Sequence, residues 1–248
     1  MLLKDLVASV DALLTPEQYH DYAPNGLQVQ GRREVHRVVT GVTASLALIE
    51  RAKQLDADAV FVHHGWFWKH EDPRIIGVRH RRIAELMSGA ISLVAYHLPL
   101  DDHPEIGNNA LFGKALGFEP VARFGDNDLG WLGHTSAATS AVDLREKISA
   151  ILGRQALLVG PADKSIRRIA WCTGAAQDMI EDAALAGADC FISGEICERT
   201  THLARELDIS YLSCGHHATE RYGIQALGNW IAQQHGLEVT FIDIDNPA

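Results

Sequence analysis

The sequence predicts an α/β fold of two lobes, and three observations lead to this prediction. Short apolar segments of strand length alternate with segments of helical periodicity along most of the 248 residues. The same rhythm occurs once in each half of the chain. Residues 59–62 are continuously apolar or small, which is typical of a strand covered on both faces. We therefore expect two pseudo-symmetric α/β lobes with a mostly parallel sheet, over residues 1–122 and 123–248, that fold as one unit.

The first half begins with an amphipathic helix, because apolar side chains recur at helical spacing between Leu2 and Leu14. Turn residues, with proline before Asn-Gly, predict a loop over residues 21–29. The elements expected after it are strand 35–43, helix 44–55, strand 57–62, helix 79–88, strand 91–96, a polar loop over 98–104 and helix 108–116.

The second half repeats the alternation after a less regular segment, 118–133, in which we expect short strands. The elements expected there are helix 141–152, strand 155–159, strand 166–172, helix 175–186, strand 189–193, helix 198–207, strand 209–214, helix 219–235 and strand 237–242. Strands that alternate with helices imply parallel pairing through crossover connections.

The two halves also align with each other, which indicates an internal repeat. Residues 43–61 align with 174–192, and residues 91–97 align with the segment that begins at Ile209. In each copy a carboxylate lies four residues beyond a histidine that follows a strand. Chance resemblance between two βαβ units remains the alternative.

Composition limits the classes of function. The chain has 32 acidic and 22 basic residues and a net charge of −10, which disfavours binding to nucleic acid. Its four cysteines lack Cys-x-x-Cys spacing and are expected to be buried, reduced thiols. No apolar run has the length of a signal peptide core or a membrane span, so we expect a cytoplasmic protein with no membrane partner.

The strand at 57–62 leads directly into His63, His64 and Gly65. Chemistry collects at the carboxyl ends of strands in open α/β sheets, and two imidazoles are a natural start for a metal site. Adjacent strand residues point to opposite faces, but a turn at Gly65 would allow both rings to face one side. The alternative is one core histidine and one surface histidine.

A second histidine and carboxylate pair, His216 and Glu220, lies four residues apart at the start of a predicted helix and therefore on one helix face. Asp101 follows another predicted strand through its loop. The candidate metal ligands are then His63, His64, Asp101, His216 and Glu220.

Five protein donors exceed what one catalytic zinc ion uses and suit two ions about 3.5–4 Å apart, bridged by a carboxylate and a water. Nitrogen and oxygen donors without thiolate fit zinc, iron(II) or manganese. His97 and Glu195 are the nearest candidates for catalytic proton transfer or for orienting a ligand.

The sequence resembles the dinuclear metal-centre hexameric family, also called GTP cyclohydrolase I type 2 homologues or NIF-three-like proteins, in its short bacterial form. The motifs that carry the resemblance are Val62-His63-His64-Gly65, His97-Leu98-Pro99-Leu100-Asp101, Gly107-Asn108-Asn109 and Gly215-His216-His217-Ala218-Thr219-Glu220. They span nearly the whole chain, together with the Asn25-Gly26-Leu27-Gln28 loop.

The resemblance implies a two-lobed protomer with two metal ions between the lobes, and a toroidal homohexamer. The family's five ligands fall on the five candidate residues named above. The family name implies opening of the guanine ring of GTP with loss of formate. A Gly-x-x-x-x-Gly-Lys-Ser/Thr phosphate loop is absent from the sequence, so the residues themselves do not point to GTP.

The leading hypothesis is a dinuclear metal-dependent hydrolase that acts on a nucleotide or related small molecule through a metal-bridging water, with His97 and Glu195 as catalytic residues. The alternative is a non-catalytic, metal-binding hexameric scaffold or interaction protein. A ring that binds nucleic acid is the least favoured hypothesis because the chain is acidic.

Overall fold

The computed structural model describes residues 1–125 and 127–248, and its helices and strands alternate as the sequence predicts. In chain order they are α1 (Leu3–Leu14), β1 (Gly26–Val29), β2 (Arg37–Thr43), α2 (Leu46–Gln54), β3 (Ala59–His64), α3 (Gly77–Ser88), β4 (Ser92–Ala95), α4 (Leu98–Asp102), α5 (Asn108–Leu116), β5 (Phe118–Phe124), β6 (Gly130–Ser140), α6 (Ala141–Leu152), β7 (Leu157–Val159), β8 (Ser165–Trp171), α7 (Ile180–Leu185), β9 (Cys190–Ser193), α8 (Glu198–Glu206), β10 (Ser210–Ser213), α9 (His216–Thr219), α10 (Arg221–His235) and β11 (Glu238–Phe241).

The chain divides into two α/β units. The first unit contains Met1–Gly107 and Arg221–Asp245, and the second contains Asn108–Glu220 and Asn246–Ala248. The sequence prediction put a single boundary near residue 122, whereas the contacts change units at Asn108 and again at Arg221. The segment from Arg221 onward belongs to the first unit because β11 pairs with β2 and α10 packs on the same sheet.

The sheet of the first unit has the order β1-β4-β3-β2-β11. Its strands from β4 to β11 are parallel, and β1 joins one edge antiparallel to β4. The central strand β3 alternates its side chains between two cores, as the period of a strand requires. Phe61 packs in the core with residues of α1 and α10. Val60 and Val62 pack in the core with residues of α2 and α3.

The sheet of the second unit has the order β5-β6-β8-β9-β10-β7. The strands β8, β9 and β10 are parallel, while β5, β6 and β7 are joined by antiparallel pairing. Buried Phe191 and Tyr211 pack in one core with residues of α7 and α8. The fold class is thus the predicted one, with parallel strands at the centre of each sheet and antiparallel strands at one edge of the first sheet and both edges of the second.

The two units repeat one hydrogen-bonding device, in agreement with the sequence repeat. Asp58 precedes β3, and its Oδ2 accepts hydrogen bonds from the backbone N–H groups of His36 and Arg37 at 2.8 and 3.0 Å. Asp189 precedes β9, and its Oδ2 accepts hydrogen bonds from the backbone N–H groups of Arg167 and Arg168, both at 2.9 Å. Each carboxylate therefore ties the start of one parallel strand to the backbone of the neighbouring strand.

Asp58 gives the first testable prediction. Burial raises the pKa of its carboxyl, but the two backbone donors and the Arg32 guanidinium at 2.8 Å lower it more, so the pKa lies below the ordinary value. Ionised Asp58 therefore stabilises the fold above pH ~4, and this contribution disappears as the pH falls through the pKa of the folded state. We expect Asp58→Asn to lower the free energy of unfolding by about 2 kcal/mol at neutral pH.

The measurement is urea denaturation of both proteins at several pH values, with the exposed Asp56→Asn as the matched control. The difference in stability between wild type and Asp58→Asn should shrink as the pH falls below ~4, because the carboxyl of the unfolded chain is protonated there before that of the folded protein. A difference that stays constant down to pH ~2 would contradict the assigned role of the charge.

Several predicted boundaries differ from the structure. The predicted polar loop 98–104 contains the short helix α4, in which Pro99 occupies the first turn, where a missing N–H is tolerated. The predicted loop 21–29 contains β1, which forms because β4 offers an edge for pairing. The predicted helix 175–186 is α-helical only over Ile180–Leu185. The predicted helix 219–235 begins earlier, as α9 followed by α10.

The expectation that all four cysteines are buried is wrong for Cys197, which lies at the N-terminal end of α8 and is open to solvent. Cys172, Cys190 and Cys214 are buried, Cys197 is exposed, and none of the four forms a disulfide within the described residues. None of the described helices is both long and apolar enough to cross a membrane.

Candidate metal centre

The carboxyl end of β3 brings His63 and His64 to one place. Their ring centroids lie 4.5 Å apart, although neighbouring strand residues ordinarily point to opposite faces. Nδ1 of the fully buried His63 lies 3.0 Å from the backbone carbonyl oxygen of Tyr96. Nδ1 of His64 lies 3.2 Å from the hydroxyl of Thr43 at the end of β2. The two rings therefore lie side by side, with His63 buried in the core and His64 partly exposed.

His97, which follows β4, joins this histidine pair. Ligand-capable atoms of His63, His64 and His97 all lie within 4.8 Å of one another. Nδ1 of His97 lies 2.7 Å from the Asp21 carboxylate, and the backbone N–H of His97 donates to the Asn25 side chain at 2.8 Å. The position of His97 makes it a candidate metal ligand as well as the predicted candidate for proton transfer.

Asp21 is a residue that the sequence analysis missed. This buried carboxylate accepts hydrogen bonds from the backbone N–H groups of Tyr22 and Leu98 and from the Asn25 amide, in addition to its contact with His97. Burial raises its pKa, but hydrogen bonding to His97, the His97 charge and the remaining donors outweigh burial and bring the pKa to about 2. Asp21 therefore remains ionised near neutral pH and fixes the ring of His97.

Asp101 lies in α4, four residues after His97. Its Oδ1 is 3.4 Å from Nε2 of His63, and the residue is 8 % exposed. The backbone N–H of Asp101 donates to the carbonyl of His97, so one helical turn connects the two side chains. The first unit thus gathers three imidazoles and a carboxylate.

The second unit holds another histidine and carboxylate pair. Nε2 of His216, in α9, lies 3.1 Å from Oε2 of Glu220, which is 2 % exposed. Nδ1 of His216 lies 2.7 Å from Oε1 of Glu195, which follows β9. The structure therefore brings Glu195 into contact with His216, on the side of the ring opposite to Glu220.

The two carboxylates control the charge of His216. Burial lowers its pKa, but the hydrogen bond and charge of Glu220, followed by those of Glu195, outweigh burial and raise the pKa to about 9. Without a metal, the ring holds a proton at neutral pH. A divalent cation at Nε2 would take the place of that proton, so metal binding would release it.

The histidines of the candidate centre have the same kind of contact at Nδ1. They are His63, His64, His97 and His216. Each Nδ1 lies 2.7–3.2 Å from an oxygen atom. For His63, His97 and His216 this oxygen belongs to a carbonyl or carboxylate and can only accept, which favours a proton on Nδ1 and leaves Nε2 to bind a metal. Metal-binding histidines in proteins usually carry such an Nδ1 partner. Imidazole and carboxylate donors without thiolate fit zinc, iron(II) or manganese and do not distinguish between them. The residues present therefore fit divalent metal binding.

The sequence of residues 1–247 matches the model of the Duf34/NIF3 (NGG1p interacting factor 3) family. The chain belongs to the DUF34/NIF3 family. This match confirms the resemblance deduced from the motifs.

Curated relatives in this family align over the full chain. The GTP cyclohydrolase 1 type 2 homolog of Allochromatium vinosum is 52% identical over 249 residues, covering 99% of this chain and 97% of that protein. The GTP cyclohydrolase 1 type 2 homolog of Escherichia coli K12 is 45% identical and covers 98% of each chain.

Solved structures show the same DUF34/NIF3 fold. The protein ybgI, described as of unknown function, has a TM-score of 0.96 at 45% identity, with both chains covered completely. TTHA1606 from Thermus thermophilus has a TM-score of 0.88 at 29% identity, also with both chains covered completely.

Proposed function

We propose that this DUF34/NIF3 protein is a dinuclear metal-dependent hydrolase that acts on a nucleotide or related small molecule. The observation that carries the proposal is the set of oriented histidines, each held at Nδ1 by an oxygen, with a carboxylate within 3.4 Å of His63 and another within 3.1 Å of His216. We propose that these donors together bind two divalent ions of zinc, iron or manganese. The proposed ligands are His63, His64, Asp101, His216 and Glu220.

Bound ions would supply a water of lowered pKa as the nucleophile and would offset negative charge that develops on the substrate. The protein's part is to hold the ligands rigidly. Most of the donors are buried, and their Nδ1 partners come from other segments of the chain, which fixes each ring before a substrate arrives.

His97 and Glu195 are proposed to handle protons. Asp21 orients His97 so that its Nε2 can accept a proton beside His63 and His64. Glu195 accepts from Nδ1 of His216, and its side chain is 43 % exposed, so it can exchange protons with solvent. We expect His97→Gln and Glu195→Gln to lower kcat by about 100-fold or more while retaining metal.

The proposed function is tested by metal-dependent turnover. Protein stripped with a chelator is reconstituted with zinc, manganese or iron(II) and assayed for formate release from GTP and for hydrolysis across a nucleotide panel. Wild-type turnover should depend on the added metal and be lost in Glu220→Ala. The matched control is Glu198→Ala, which removes an exposed glutamate at the start of α8 and should retain activity.

Turnover that is the same in Glu220→Ala as in wild type would overturn the hydrolase. Stoichiometric metal binding without turnover across the panel would instead favour the alternative of a metal-binding scaffold, in which metal removal lowers thermal stability without changing any reaction.

We also propose a homohexamer, on the basis of the family resemblance. An exposed apolar segment supports self-association, because Ile75, Ile76 and Val78 are 51, 58 and 52 % exposed. Light scattering after size-exclusion chromatography should give six times the mass of one chain. A monomer at micromolar concentration would contradict this assembly.

A further inference from the structure

A recess of about 530 Å³ lies in the first unit, beside the histidine cluster. One wall is the segment between Pro16 and Asn25, and the other is formed by Phe67 and Lys69. This volume is within the range of small-molecule sites, which is roughly 300–1,000 Å³. Asp21 lines the recess and also contacts His97, so one residue belongs to the recess and supports the cluster.

Hydrogen bonds join the two walls. The backbone N–H of Lys69 donates to the carbonyl of Tyr22 at 2.7 Å. The Gln28 amide accepts from the backbone N–H of Trp66 at 2.7 Å and donates to the carbonyls of Trp66 and Pro24 at 3.1 and 2.8 Å. These hydrogen bonds hold the two walls together, so little ordering of the recess would be required on binding.

Two aromatic side chains of the recess are exposed. Tyr22 is 60 % exposed and Phe67 is 37 % exposed, so both rings present area to the recess. Phe67 also has a φ of 66°, a backbone conformation that is uncommon for an aromatic residue and that is often found at ligand-binding positions. Exposed aromatic rings on a preformed wall are suited to stacking against a planar ring.

The charged side chains of the recess restrict the ligand further. Lys69 supplies an exposed positive charge, which favours an anionic substituent. Of the two carboxylates that line the recess, Asp21 is buried and hydrogen-bonded, whereas Glu17 is exposed and can accept from N–H groups on the edge of a ring.

From these observations we infer that the recess binds a planar heteroaromatic molecule that carries an anionic group, the class to which purine nucleotides belong. Tyr22 and Phe67 stack on the ring, Lys69 pairs with the anionic group, and Glu17 accepts from the ring N–H donors. The inference rests on the proposed function and specifies its substrate class.

The experiment measures binding of three probes to the purified full-length protein by isothermal titration calorimetry. GMP carries both ring and anion, guanosine lacks the anion, and inorganic phosphate lacks the ring. We expect the order of affinity GMP, guanosine, phosphate. Tyr22→Ala and Phe67→Ala should each weaken GMP binding by about tenfold or more, and Tyr22→Phe should retain it.

Substitutions of the charged residues Lys69 and Glu17 should affect the three probes differently. Lys69→Gln should weaken the binding of GMP and leave that of guanosine unchanged, whereas Glu17→Gln should weaken both. Matched controls are Met87→Ala, which removes an apolar side chain that is 64 % exposed on α3, and Lys4→Gln, which removes an exposed lysine on α1. Neither control should change the binding of any probe.

The inference is overturned if wild type binds neither GMP nor guanosine, if phosphate binds as tightly as GMP, or if Tyr22→Ala and Phe67→Ala bind GMP as wild type does. Metal content measured on the same samples separates the two proposals. If Tyr22→Ala and Phe67→Ala retain normal metal content, turnover and GMP binding, the assignment of the recess is wrong and the proposed hydrolase stands. If GMP binding depends on Tyr22 and Phe67 but the protein binds no metal, the proposed metal-dependent hydrolase is wrong and the assignment of the recess stands.

Discussion

Glu220→Ala is expected to lower metal affinity by about 100-fold or more, because it removes a buried carboxylate that lies 3.1 Å from Nε2 of His216. This carboxylate supplies negative charge on the Nε2 side of the ring, whereas Glu195 contacts the Nδ1 side. Chelator competition, with zinc and manganese in turn, gives the affinity directly.

The exposed Glu198→Ala is the control for loss of one negative charge in the same unit and should bind metal as wild type does. Circular dichroism should show that both variants fold. Wild-type affinity in Glu220→Ala would remove Glu220 from the set of ligands and leave its contact with His216 as a purely structural ion pair.

Gly174→Ala should reduce both the stability of the fold and the affinity for metal. Gly174 has a φ of 71°, and a Cβ atom there would overlap Oε1 of Glu220 and come within 3.3 Å of Nε2 of His216. The backbone is held in place, because its N–H donates to the Thr219 hydroxyl at 3.1 Å and its carbonyl accepts from Gly194 at 2.8 Å. We expect a loss of about 3 kcal/mol in the free energy of unfolding, from backbone strain and overpacking together.

Gly153→Ala is a control with the same backbone conformation. Gly153 also has a φ of 71°, but a Cβ atom there would have no neighbour within 4 Å. It should therefore cost only the backbone strain, about 1 kcal/mol, and leave metal affinity unchanged. Chemical denaturation and chelator competition on both variants separate strain from overlap with Glu220. Equal losses in the two variants would show that the space around Glu220 does not require glycine at position 174.

Both units use one plan for their donors. His97 follows β4, and His216 follows the corresponding strand β10. Each ring is held at Nδ1 by a carboxylate from another segment, at 2.7 Å in both cases. Another carboxylate follows each histidine by four residues, as Asp101 in the first unit and Glu220 in the second. The repeat in the sequence therefore extends from the strands to the candidate metal centre.

The parts of this arrangement that could be predicted are those set by local pattern. The apolar run before His63 determines a buried strand, and a strand end positions the residues that follow it. The spacing of His216 and Glu220 brings their side chains together through a single helical turn. These relations depend on neighbouring residues, so the sequence is sufficient to show them.

Asp21 and β1 could not be predicted because their structure depends on distant residues. Asp21 acquires its role from His97, 76 residues further along the chain, and nothing in its local sequence distinguishes it from a turn residue. The segment Gly26–Val29 reads as a loop and becomes a strand only by pairing with β4. The return of α10 and β11 to the first unit is likewise set by packing on β2.

The most direct test of the dinuclear centre is the number of metal ions per chain, measured by plasma mass spectrometry on protein purified without a metal-affinity tag. We predict about two divalent ions per chain in wild type, after reconstitution with zinc, manganese or iron(II) if the purified protein is depleted. Fewer than about half an ion per chain after reconstitution with each metal would contradict the dinuclear centre and the hydrolase proposed from it.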